Sequence, residues 1–220
     1  MNTVLHNSND LKTKMSLAKR ILKIGTQKFE EPNSIDKVLD KVFLWAFPTY
    51  VKPNHLTVFR YISTPFIFYL LFFQYYLIGF IAFFISAMTD ALDGAMARTR
   101  GQITSWGKIN DPLADKLLIG LVGAIMIIKY VSLEIIFIII ILEILTIAIV
   151  AFFYDAKENP GAMLPGKIKM ALQSLGVGLI ILYAMQGFPL YLSVAIVFLY
   201  LSILFSIINV LFCLFWGKSL

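Results

Sequence analysis

Residues 132–154 read SLEIIFIIIILEILTIAIVAFFY, a run that is apolar almost without interruption. At about 1.5 Å per residue, a helix of that length crosses the ~30 Å hydrocarbon core of a bilayer. A barrel strand would alternate apolar and polar positions, and this run does not. Working outward, comparable runs fall at about 57–76, 77–97, 111–130, 167–186 and 189–215, so the pattern predicts six spans. Composition agrees: the 220 residues are 59% hydrophobic, with a mean hydropathy of +0.81. A soluble domain of this size could not bury that much apolar surface. The expected fold class is an all-α polytopic membrane protein, six transmembrane helices preceded by an N-terminal amphipathic interfacial helix.

Residues 1–35 are predicted to be a polar, basic extension, with a short surface helix within 11–29. Residues 36–50 are predicted to be the interfacial helix, because Val38, Leu39, Val42, Phe43, Trp45 and Ala46 interleave with Asp36, Lys37, Asp40 and Lys41. Pro48 and Pro53 end that pattern, and residues 51–220 read as one six-helix membrane domain. Ten of the nineteen basic residues lie before position 61. Beside a membrane span, such charge meets anionic headgroups, so no nucleic-acid partner is expected. The loops at 98–110 and 155–169 are basic, whereas those near Gln74–Tyr76 and Gln186–Pro189 carry no charge. The positive-inside rule then predicts a multi-pass inner or plasma-membrane protein, with both termini and the active site cytoplasmic. No cleavable leader is expected, since the first long apolar run starts near residue 58. The single Cys213 excludes an internal disulfide, and the distant His6 and His55 give no histidine metal site.

Carboxylates are costly in or near hydrocarbon, so those in the spans invite a functional reading. Asp90 and Asp93 end the second run one helical turn apart; Asp111 and Asp115 open the third, four residues apart, again on one face. Pro112 suits a first helical turn there. The short connection, with Gly101 and Gly107, predicts a hairpin with both pairs at one depth. Four facing carboxylates repel, and hard divalent cations with oxygen ligands relieve that repulsion. Two ions could share Asp90, Asp93, Asp111 and Asp115 and leave positions open for substrate phosphates, a phosphoryl-transfer arrangement.

The residues Asp90, Asp93, Gly94, Ala97, Arg98, Gly107, Asp111 and Asp115 match every specified position of D-x2-D-G-x2-A-R-x8-G-x3-D-x3-D. The chain thereby resembles the CDP-alcohol phosphatidyltransferases. Upstream, Pro53-Asn54-His55-Leu56-Thr57-Val58-Phe59-Arg60 is similar to that family's PNxLTxxR segment, and the likeness extends over about residues 36–215. The resemblance implies two Mg2+ or Mn2+ ions held by the four aspartates, with Asp115 also deprotonating the acceptor hydroxyl. It implies CDP binding by Asn54, Thr57, Asp93, Gly94, Ala97, Arg98 and Gly107. It further implies a CDP-diacylglycerol-type donor, a small alcohol acceptor, contact with membrane lipids, and a homodimer.

The acceptor is less legible. Gly166-Lys167-Ile168-Lys169-Met170 resembles the GKxKT segment of phosphatidylglycerophosphate synthases, which implies that Lys167 and Lys169 bind the phosphate of glycerol 3-phosphate; both also suit plain flanking lysines. Members of that subfamily carry arginine beside an R-E-I segment, where this chain has Leu142-Glu143-Ile144 and no arginine in the fourth run. Inositol phosphate, inositol or serine therefore stay open as acceptors. Glu143 either hydrogen-bonds within the bundle or faces the site. A reading of another class, a divalent-cation transporter, expects acids distributed through the membrane depth rather than gathered at one end.

Overall fold

The computed structural model describes residues 51–102, 104–153 and 164–217. The extension at 1–35 and the interfacial helix at 36–50 lie outside them. Among the described residues there are six helices and no strand: α1 (Pro53–Phe72), α2 (Tyr76–Thr99), α3 (Ser105–Tyr130), α4 (Leu133–Phe153), α5 (Leu164–Gln186) and α6 (Pro189–Gly217).

Five of them, α1, α2, α4, α5 and α6, are long and apolar enough to cross a membrane. The chain is a multi-pass membrane protein. α3 is also long, but Asp111, Asp115, Lys116 and Lys129 leave only Leu117–Ile128 free of charge. Its start differs from the sequence expectation. The hydroxyl of Thr104 caps the helix by accepting from the Gly107 N–H at 2.9 Å, so α3 begins at Ser105 rather than near Asp111. Pro112 therefore stands inside the helix, withholding the N–H that would bond the carbonyl four residues earlier. Pro53 does occupy a first turn, that of α1, which starts four residues before the expected boundary.

The turn between α2 and α3 explains how the carboxylates meet. Gly101 adopts φ +63°, and the Gln102 N–H returns to the Ala97 carbonyl at 2.9 Å, the glycine-terminated helix end. Although α2 and α3 are sequence neighbours, they barely touch; α1 packs against both and lies between them. α5 is the central helix of the rest, packing on α6, α3 and α2, while α4 leans chiefly on α6. The main core, including Ile67, Phe83, Val122, Met126, Val177, Ile180 and Leu199, binds these helices together. A small cluster of Leu56, Leu92, Ala95 and Met96 holds α1 against α2 beside the carboxylates. Outward-facing Ile62, Phe66, Ile78, Phe137, Ile141 and Tyr200 are exposed, the apolar coat a bilayer would cover.

Candidate active site

All four aspartates come together, but through α1. Arg60 is completely buried. Its Nη1 donates to Asp90 Oδ1 at 3.0 Å and to Asp115 Oδ1, and its Nη2 to Asp93 Oδ2. One turn earlier on the same face, the Thr57 hydroxyl donates to Asp111 Oδ1 at 2.6 Å. The expected direct confrontation of carboxylate pairs is thus replaced by a guanidinium and a hydroxyl set between them. Asp93 is the buried member, at 2% exposure, whereas the Asp90 side chain is 46% exposed. The cluster accordingly has a closed side and a side open to a ligand. Among the described residues, no three acidic, imidazole or thiol side chains converge on one vacant point; Arg60 fills the centre.

Gly107 shows why its position takes glycine. A Cβ there would lie 3.1 Å from Thr104 Oγ1, 3.2 Å from Asp111 Oδ2 and 3.4 Å from Asn54 Oδ1. Thr104 Oγ1 also donates to Asn54 Oδ1 at 3.0 Å, so Asn54, Gly107 and Asp111 share one small polar recess. Gly94 lies under the Arg98 guanidinium, whose Nη1 would be 3.2 Å from an added Cβ. Ala97 follows one turn below Asp93 on α2. Every residue expected to bind CDP therefore borders the carboxylate cluster or the turn beneath it.

The two lysines separate. Lys167 is exposed, while Lys169 is buried and donates to Glu143 Oε2. Glu143 also faces Lys116 Nζ at 2.9 Å, so the intramembrane acid of α4 ties α3 to α5. Sequence reasoning left its partners open, offered Lys116 only as a possible partner of the aspartates, and gave Arg60 no role beyond its place in the motif. A signal for Arg60 existed: Thr57 and Arg60 are three apart on a helix, on the face where Pro53, Leu56 and Thr64 are also buried.

Comparison with known proteins agrees. The family description "CDP-alcohol phosphatidyltransferase" matches residues 50–208. A protein of Rickettsia typhi named CDP-diacylglycerol–glycerol-3-phosphate 3-phosphatidyltransferase is 33% identical over 147 residues, 64% of this chain and 82% of its own. Proteins of the same name from Wigglesworthia glossinidia brevipalpis (42% over 81 residues, 36% of this chain and 44% of its own) and Salmonella typhimurium (42% over 72 residues, 31% and 40%) match shorter segments.

Proposed function

The chain belongs to the CDP-alcohol phosphatidyltransferase family, and from that premise we propose that it transfers the phosphatidyl group of CDP-diacylglycerol to glycerol 3-phosphate, releasing CMP. The observation that carries this is the gathering of Asp90, Asp93, Asp111 and Asp115 around Arg60 at one end of the bundle. The names of the relatives supply the donor and acceptor.

The chemistry of the donor set, four carboxylates against one guanidinium, suits hard divalent ions, which would take the place that Arg60 fills in this structure. Asp90, Asp93, Asp111 and Asp115 would hold two Mg2+ or Mn2+ ions, which when bound offset the charge that develops on the transferring phosphate. The residues of the chain do the rest. Asn54, Thr57, Asp93, Gly94, Ala97, Arg98 and Gly107 bind and orient the cytidine diphosphate across α1, α2 and the start of α3. Asp115 takes the proton of the acceptor hydroxyl as that oxygen bonds to the β-phosphorus, and the bond from that phosphorus to the CMP oxygen breaks. Lys167, exposed near the start of α5, attracts the phosphate of the acceptor, whereas Lys169 is buried against Glu143 and holds α4 to α5. The active site and both termini face the cytoplasm, and the enzyme works as a homodimer.

Purified protein supplied with CDP-diacylglycerol, magnesium and a panel of acceptors tests this. CMP release is expected with glycerol 3-phosphate above inositol phosphate, inositol or serine. Release with none of them, together with divalent-ion flux in liposomes, would overturn the enzymatic reading.

A further inference from the structure

α4 carries one acid in the middle of an otherwise apolar span. Between Ile135 and Val150 the only polar side chains are Glu143 and Thr146, and Thr146 bonds its own helix at the Leu142 carbonyl. The apolar residues do little to fix how this helix sits. Ile138, Ile139, Ile140 and Ile141 are consecutive, so a slip of one residue, about 1.5 Å of rise and 100° of turn, exchanges isoleucine for isoleucine. Phe137, Ile138, Ile141, Ile144 and Leu145 already face outward, and lipid tails receive one aliphatic face as readily as another.

Glu143 is the exception. Its Oε2 accepts from the buried Lys169 of α5, and its Oε1 lies 2.9 Å from Lys116 Nζ of α3. α4 leans chiefly on α6, touches α3 lightly and barely meets α5. The carboxylate thus reaches the two helices that apolar packing leaves loosely joined to α4. A slip of one residue would bring Leu142 or Ile144 to the two ammonium groups and turn the acid toward hydrocarbon.

Three charges in a bundle core are a poor source of stability, because apolar side chains of similar volume often do as well or better. What an ion network supplies instead is a single register, the use that one polar residue serves in a coiled coil. Here the register reaches the chemistry. Lys116 follows Asp115 directly in the chain, and Pro112, three residues before Asp115, leaves α3 without one backbone hydrogen bond. The rotation that turns Asp115 toward Arg60 is therefore set from outside the helix. Thr57 and Arg60 hold it on one side and Glu143 on the other.

We propose that Glu143 is a positioning residue: its ion pairs with Lys116 and Lys169 fix the register of α4 against α3 and α5, and thereby the aim of Asp115. The proposal rests on the role of Asp115 assigned above.

The test compares the full chain with a triple variant, Lys116→Met, Glu143→Leu and Lys169→Met, which removes all three charges and strands none. Both are prepared in lipid nanodiscs with Cys213→Ala, which removes the single cysteine. Register is read by oxidative cross-linking of Gly120→Cys with Ile138→Cys, Ile139→Cys, Ile140→Cys or Ile141→Cys, scored as linked peptides within one chain. Ile139 and Ile140 line a cleft with Gly120, whereas Ile138 and Ile141 do not. With the network intact, cross-links to the first two should exceed the others about fivefold; in the triple variant the four yields should converge. Its Tm should stay within a few degrees of the parent, while kcat per donor-binding site falls about tenfold or more and the donor KM changes less than about twofold. Glu143→Asp alone keeps the charge and should retain the cross-linking pattern and about a third or more of kcat. An unchanged pattern in the triple variant, or converging yields with unaltered kcat, would overturn the proposal. So would a triple variant too unstable to fold, which would make the network a source of stability alone. CMP release by the parent reads the reaction separately: with none, the functional reading fails, while the cross-links still decide whether Glu143 sets the register.

Discussion

Arg60→Met is the sharpest perturbation of the carboxylate cluster. The substitution keeps the long apolar stem and removes the guanidinium that bonds Asp90, Asp93 and Asp115. Since Arg60 is fully buried and Asp93 nearly so, the loss resembles breaking a buried ion pair from one side, about 3–5 kcal/mol. For a chain of this size that is on the order of 10 °C in Tm. The magnitude should depend on divalent ions. If the aspartates also bind magnesium, a concentration 100-fold above Kd contributes about 2.7 kcal/mol to any form that binds it, and the variant, without its internal cation, should gain more than the wild type. Thermal unfolding in detergent, with chelator and with excess magnesium, reads both arms. The deficit of Arg60→Met should be largest in chelator and fall by half or more in magnesium. Adding Asp90→Asn, which removes the most exposed of the three carboxylates that Arg60 bonds, should recover part of the deficit in chelator. An equal deficit in both buffers, with no recovery from Asp90→Asn, would refute the view that Arg60 acts as counter-charge to a metal-binding cluster.

Asp115→Asn should abolish CMP release while donor binding, measured by retention of radiolabelled CDP-diacylglycerol, persists. Gly107→Val should raise the donor KM at least tenfold, because its side chain would enter the recess shared by Asn54, Thr104 and Asp111; steady-state kinetics check it. Thr57→Val removes the 2.6 Å hydrogen bond to Asp111 and should cost roughly 1–3 kcal/mol by unfolding, since a charged acceptor loses its donor. Lys169→Ala leaves Glu143 with Lys116 alone and should destabilise by about 2–3 kcal/mol, somewhat under a full buried-pair loss. Adding Glu143→Gln should restore more than half of that, which a double-mutant cycle would measure.

The aspartates were legible because an acid in a hydrophobic run has few ordinary explanations, and their spacing put each pair on one helix face. Where α3 begins was not. Thr104 and Pro112 are both helix-start signals, eight residues apart, and hydropathy favours the later one because the earlier stretch is polar. The Thr104–Gly107 hydrogen bond decides it, placing both acids inside the helix. Arg60 was missed for a different reason. A basic residue near the start of a span reads as an interfacial flank, and its partners lie 30 to 55 residues away, where no local pattern reaches. The helical spacing of Thr57 and Arg60 was visible; that the gap between α2 and α3 needed a third helix to fill it was not.

Lys116 shows how adjacent residues can belong to separate chambers. Successive side chains on a helix diverge by about 100°, so Asp115 meets Arg60 while Lys116 meets Glu143. α3 is therefore a wall with polar groups on both sides at one level, and a wall of that kind cannot carry a full apolar span. That accounts for α3 being, among the six described helices, the one whose composition is not apolar over a full membrane span. The same geometry makes the register of α3 the quantity on which both chambers depend. One alanine inserted within α3 after Leu117 would leave Asp111, Asp115 and Lys116 in place while turning Gly123 by about 100° away from Val177 of α5. A deletion at 113 would instead turn Asp115 away from Arg60. The first change should loosen the packing of α3 on α5 and spare the acid cluster, and the second should disable the cluster itself. Equal loss of metal binding in both would show that the two faces of α3 do not act separately.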